Sequence, residues 1–231
     1  MAGAAFFDLD GTLLTANSAA LWVRRERRLG RLGKRQTLKA LFFFGAYRLG
    51  VFDIDLAISE AARSLAGRSD DEMRRQTRRW WAQEVAGTAA AGAVWAIDRH
   101  RRAGEKAVLL TSSTLWAAEC AAVQFGLDDV LCTQFEVADG RMTGGVAQVC
   151  YGRGKVALAE RWAEARGVRL SESTFYTDSF TDLPMLERVG RPRVVHPDLR
   201  LRLEARRRGW PVLDWRRAPR ERWNLTESAT G

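Results

Sequence analysis

The strand that opens this chain has its partners far away in sequence. Ala4 to Leu9 is a short apolar run that ends in Asp8-Leu9-Asp10-Gly11-Thr12, which reads as a buried strand stopping at a glycine turn. The pattern that follows is helical. Asn17 or Ser18 caps a helix running to about Leu29, and a second runs from about Lys34 to Leu49 with Leu38, Leu41, Phe42, Gly45 and Leu49 on one stripe. A third spans roughly Asp53 to Ala66. Ser69 caps a fourth over Asp70 to Val85, and a fifth, from about Thr88 to Arg102, ends at Gly104.

From there strands and helices alternate. Strands are predicted at Lys106–Leu110, Val130–Thr133, Thr174–Thr177 and Arg193–His196, with a short last one at Pro211–Leu213. Phe135–Val137 and Arg141–Thr143 flank Asp139-Gly140, a hairpin signal. Helices are predicted at Leu115–Phe125, Lys155–Arg166, Leu183–Arg188 and Leu199–Arg208. Such alternation implies an α/β fold: a Rossmann-like, mostly parallel sheet with helices on both faces. The first strand belongs to that sheet. The expected division is therefore a core of residues 1–14 and 104–231, with an all-helical cap domain inserted at 15–103. Open sheets bind ligands beyond the carboxyl ends of their strands, where such an insertion would cover the site.

Composition excludes several classes. With 231 residues and 46% hydrophobic content the chain can bury a core without staples and is not wholly disordered. The longest strongly apolar run, Ala40–Tyr47, is too short to span a bilayer, so no transmembrane helix is expected. Cys120, Cys132 and Cys150 match neither a zinc spacing nor a disulfide framework, and the first residues lack a signal-peptide pattern, so a cytoplasmic protein is expected. The net charge is +9, and only four of the 37 basic residues are lysines (Lys34, Lys39, Lys106, Lys155). Arginine richness raises nucleic acid or an anionic membrane as a partner. The arginines are scattered through predicted helices, which favours a solvated surface, and nucleic acid is not expected.

Four fragments at strand ends carry the chemistry: Asp8-Leu9-Asp10-Gly11-Thr12, Thr111-Ser112-Ser113, Lys155, and Asp178-Ser179-Phe180-Thr181-Asp182. Each has a structural explanation alone. An Asp-Gly pair makes turns, Thr111–Ser113 can cap a helix, Lys155 can be a solvated first-turn lysine, and Asp178 and Asp182 can support a helix N-terminus. Together they describe an anion site with a hard cation. Carboxylates meeting at one sheet edge repel unless a cation neutralises them, and oxygen donors without His or Cys favour magnesium. A lysine and hydroxyls beside them suit a phosphoryl group.

These fragments are similar to the four motifs of the haloacid dehalogenase superfamily, in its phosphoserine-phosphatase-like branch (subfamily IB) with a helical C1-type cap. Phe6 to Leu13 resembles the first motif, Leu109 to Ser113 the second, Gly154-Lys155-Val156 the third, and Phe175 to Glu187 the fourth. The resemblance implies a Mg2+-dependent phosphatase acting on a small phosphomonoester. It implies Asp8 as the nucleophile that becomes an aspartyl-phosphate, and Asp10 as general acid and base. It implies metal ligation by Asp8, Asp10, Asp178 and Asp182, with Asp10 acting through its backbone carbonyl and Asp182 close by or acting through water. Thr111, Ser112, Gly11 and Thr12 would contact the phosphate, and Lys155 would neutralise charge. Threonine stands at 111 and 177 where the family more often has serine and glycine.

Asn17 falls where phosphoserine phosphatases of the family hold the substrate amine with glutamate. An amide there is a poorer partner for an ammonium, so Asn17 is a candidate substrate contact that disfavours phosphoserine. Phe42, Phe43, Phe44, Tyr47, Trp80 and Trp81 either pack the cap helices together or line an apolar pocket. Arg24, Arg25, Arg27 and Arg28 would assist a membrane-surface patch. His100 and His196 are expected to be structural. The rivals are a phosphatase for lipid phosphates or nucleic-acid ends, and a non-catalytic basic binding module.

Overall fold

A computed structural model describes residues 3–31, 33 and 54–216. Seven strands form one sheet: β1 (Ala4–Phe7), β2 (Lys106–Thr114), β3 (Asp129–Ala138), β4 (Arg141–Gln148), β5 (Thr174–Thr177), β6 (Arg191–Val195) and β7 (Val212–Leu213). Their order is β4-β3-β2-β1-β5-β6-β7, and all neighbours are parallel except β3 and β4. The chain runs outward from β1 to β4 on one side, then returns beside β1 and runs outward to β7. The strand order therefore reverses at β1, which makes the carboxyl end of β1 the ligand crevice of the sheet.

The described helices are α1 (Ser18–Arg28), α2 (Ile54–Ser64), α3 (Asp70–Trp80), α4 (Ala91–Arg102), α5 (Leu115–Phe125), α6 (Arg153–Arg166), α7 (Leu183–Arg188) and α8 (Leu199–Arg208). The helix expected at 34–49, with Phe42, Phe43, Phe44 and Tyr47, lies outside the described residues. Alternation along β1 builds two cores. Ala5 and Phe7 pack with Leu109, Tyr176 and the α4 residues Ala93, Ala96 and Ile97. Ala4 and Phe6 pack on the other face with Leu158 and Trp162 of α6, Met185 of α7 and Leu201 of α8. Helix α4, expected within the insertion, thus covers the sheet itself.

Three elements differ from the sequence reading. Strand β2 does not stop at Leu110. Thr114 pairs with Thr133 after a register shift beyond Thr111, so the second motif sits in a bulged strand end. Strand β3 is continuous through Gln134, and its hairpin turns at Asp139 (φ 49°) and Gly140 (φ 73°), the paired positive angles of a type I′ turn. The helix expected over 70–85 widens to π turns at Trp81–Val85. Trp80, Trp81 and Val85 are all buried there, and Trp81 Nε1 donates to Gln124 Oε1 at 2.6 Å, so a wider turn puts neighbouring large side chains into the interior.

No described helix is long and apolar enough to cross a membrane. Many arginines are spent in ion pairs, among them Arg28–Glu84 (2.6 Å), Arg166–Asp129 (2.6 Å) and Arg208–Glu187 (2.5 Å). Cys120, Cys132 and Cys150 are free thiols.

Candidate active site

Asp8 is the first residue beyond β1. Its amide donates to the Tyr176 carbonyl at 2.9 Å, which continues the β1–β5 pairing one residue past the strand. The side chain is buried. Burial pushes its pKa up to about 7, opposed chiefly by the Lys155 ammonium and reinforced by Asp182. Lys155 reaches it from the first turn of α6. Nζ donates to Asp8 Oδ1 at 2.9 Å and to Asp182 Oδ2 at 2.7 Å, and the lysine side chain is 2% exposed. Lys155 is therefore no solvated first-turn residue.

Asp182 Oδ2 also accepts from the Thr177 hydroxyl at 2.7 Å. Asp10 lies beyond the strand, in the turn, and its carboxylate faces α1. Oδ1 accepts from the Ser18 amide at 2.7 Å, and Oδ2 from the Ser18 hydroxyl at 3.0 Å and the Ser113 hydroxyl at 3.4 Å. Burial raises the Asp10 pKa, and the Ser18 bonds oppose the rise. Ser18 and Ser113 were not among the expected site residues. Ser18 was legible only as a helix start, and Ser113 only as the last residue of the second motif, with no role of its own.

Gly11 turns the chain with φ 77°. A Cβ there would stand 2.2 Å from Asp178 Oδ2, so only glycine admits the Asp178 carboxylate at this position. Thr111 is buried in β2, and its Oγ1 accepts from the Ser113 amide at 3.1 Å. Ser112 is half-buried beside it. Thr12 is fully buried, and its hydroxyl has no protein partner. Asn17 caps α1, its Oδ1 accepting from the Ala20 amide at 2.9 Å. That oxygen serves the helix rather than a ligand.

The expected metal ligands are the carboxylates of Asp8 and Asp178 and the Asp10 carbonyl, with Asp182 close by or acting through water. Among the described residues no three His, Cys, Asp or Glu side chains are grouped to hold a metal ion. The Asp10 carboxylate is turned to Ser18, and that of Asp182 to Lys155 and Thr177, because each found a buried hydrogen-bond donor. Asp8, whose Oδ1 also accepts from Lys155, and Asp178, whose carboxylate lies against Gly11, are hard oxygen donors at the ends of the neighbouring strands β1 and β5. That donor chemistry fits magnesium, with the Asp10 carbonyl as a third oxygen.

His100 is buried between Glu105 Oε2 (2.5 Å) and the Tyr176 hydroxyl (2.8 Å), and His196 Nε2 accepts from the Trp215 amide at 2.9 Å. Both histidines are structural.

The model of haloacid dehalogenase-like hydrolases matches residues 5–187. The chain belongs to that family. It is 34% identical over 93% of its length to a protein named probable phosphatase from Mycobacterium tuberculosis, of which it covers 76%. It is 29% identical over 94% of its length to a histidinol-phosphatase of Neisseria meningitidis, of which it covers 100%. A phosphoserine phosphatase solved as a phospho-aspartyl intermediate analogue has the same fold, with TM-score 0.69 at 17% identity over 94% of this chain and 95% of that one. The hydrolase is thus a phosphatase-type enzyme, built on the mostly parallel α/β sheet and phosphoserine-phosphatase-like architecture that its motifs implied.

Proposed function

We propose that this hydrolase is a Mg2+-dependent phosphatase for a small phosphomonoester. The observation that carries the reading is the grouping at the carboxyl end of the central strand. There Asp8 follows β1 with the Lys155 ammonium 2.9 Å away, and Asp178 follows the neighbouring β5 with its carboxylate against Gly11. Asp8 attacks phosphorus, and the P–O bond to the leaving group breaks as the aspartyl-phosphate forms. Asp10 gives its proton to the leaving oxygen, then takes one from the water that hydrolyses the acyl phosphate. The raised pKa of Asp10 suits a group that must hold a proton before giving it up. Thr111, Ser112 and nearby backbone N–H groups bind phosphate oxygens, and Lys155 balances the charge on Asp8 and the phosphoryl group.

Asp8 and Asp178 through side chains, and Asp10 through its carbonyl, would hold magnesium. Bound there, the ion supplies charge neutralisation that lets an anionic carboxylate approach an anionic phosphate. Helices α1 to α3 form the cap of the cleft, and α4 belongs to the core, because its apolar face lies on β1 and β2. Phosphoserine is disfavoured, since the residue at the amine-binding position is Asn17 and its oxygen caps α1. The full-length match to a histidinol-phosphatase makes histidinol phosphate the first substrate to try.

The test is hydrolysis of 4-nitrophenyl phosphate, then of a panel holding histidinol phosphate, phosphoserine, a lipid phosphate and a 5′-phosphorylated oligonucleotide. Activity that requires Mg2+, is removed by chelation and is lost in Asp8→Asn is the expected result. Turnover in Asp8→Asn at the parent's rate sinks the mechanism. Preferred turnover of the lipid or oligonucleotide replaces the small-molecule reading.

A further inference from the structure

Asp198 lies outside every motif that the chemistry uses, yet it is bonded to the loop that carries Asp178. Three contacts meet on it. Its amide donates to the Asp178 carbonyl at 2.9 Å. Its Oδ2 accepts from the Phe180 amide at 2.8 Å. Its Oδ1 accepts from the Leu201 amide at 2.8 Å, which caps α8. The first two bonds bracket Ser179 and clamp the backbone on the carboxyl side of Asp178. A second grip comes from Arg200, whose guanidinium lies 4.1 Å from the centre of the Phe180 ring. The opposite side of Asp178 is Gly11, where the fit is so close that an added Cβ would overlap the carboxylate. A small backbone shift at Asp178 would therefore move its carboxylate against Gly11 or away from it.

We infer that Asp198 is a positioning residue that sets the metal affinity of this site by fastening the Asp178 loop. The inference rests on the magnesium reading above. Partners that orient a metal ligand from behind typically change affinity about 10–100-fold when removed.

Asp198→Asn separates this role from helix capping. Asparagine caps helices as well as aspartate does, so its oxygen keeps the Leu201 bond. Its NH2 then faces the Phe180 amide, donor against donor, and the loop bond is lost. Phe180→Pro cuts the same bond from the other end by deleting the amide hydrogen. Ser179 already has the extended conformation (φ −108°, ψ 133°) that a following proline needs. The readout is Mn2+ binding followed by the electron paramagnetic resonance signal of free Mn2+, on the full chain without substrate, with metal-free melting temperatures alongside.

Each variant is expected to weaken Mn2+ binding about 10-fold or more with a melting temperature near the parent's, and the double variant to be no weaker than either single one. Parent-like Mn2+ affinity in Asp198→Asn, while Asp178→Asn binds weakly, overturns this inference and leaves the metal reading standing. Fully additive losses in the double variant overturn it as well. A parent that takes up no Mn2+, or an Asp178→Asn variant that binds like the parent, overturns the metal reading and this inference with it.

Discussion

Replacing Lys155 by methionine removes the charge while keeping much of the side-chain bulk. Nζ sits 2.9 Å from Asp8 Oδ1 and 2.7 Å from Asp182 Oδ2. Without it, two buried carboxylates face each other with no cation between them. Removing one partner of a buried ion pair typically costs about 3–5 kcal/mol. For a chain of this size each kcal/mol lowers the melting temperature by roughly 2–4 °C. A drop of about 6–20 °C is therefore expected near pH 7.5 in the metal-free protein. The loss should shrink on acidification. Burial already pushes the Asp8 pKa up to about 7, and Lys155 is the main influence holding it down. Methionine lifts it further above its unfolded value of about 3.9. A carboxyl whose folded pKa is raised destabilises the fold only as pH climbs from the unfolded value toward the folded one. Protonating Asp8 thus relieves the variant more than the parent. Urea unfolding of both proteins at about pH 5 and about pH 7.5 reads the gap directly. Equal stability at the higher pH, or a gap that widens at the lower, refutes the argument that this ammonium neutralises two carboxylates.

Gly11→Ala and Gly140→Ala form a matched pair, because both glycines have positive φ (77° and 73°) but only Gly11 has a neighbour in the way. Both should lose about 1–2 kcal/mol of stability from backbone strain. Only Gly11→Ala should also lose Mg2+-dependent turnover of 4-nitrophenyl phosphate, by roughly 100-fold or more, as the Asp178 carboxylate is pushed aside. Similar turnover in the two variants contradicts that account. The metal-free parent should itself unfold at higher urea near pH 5 than near pH 7.5 through the Asp8 contribution, since its folded pKa of about 7 exceeds the unfolded value. Asp8→Asn should flatten that contribution, and a pH slope unchanged in Asp8→Asn assigns it elsewhere.

Among the described residues, the order of strands and helices and the mostly parallel sheet were legible in sequence. These are local properties: Ala4–Leu9 carries its own apolar run, Asp139-Gly140 its own turn, Ser69 its own cap. The candidate residues Asp8, Lys155 and Asp178 were legible as a cast, because phosphoryl chemistry restricts which side chains serve it, while Ser18 and Ser113 were not. What sequence could not supply was the direction in which each carboxylate points. Asp8 and Lys155 are 147 positions apart, and only the packing of α6 on the sheet brings them to 2.9 Å. The same packing turns Asp182 to Lys155, and the course of α1 turns Asp10 to Ser18. A buried oxygen takes the nearest donor the fold offers, whatever its place in a motif. Asp198 stands in no motif of the sequence, and only the tertiary structure bonds it to the backbone that carries Asp178.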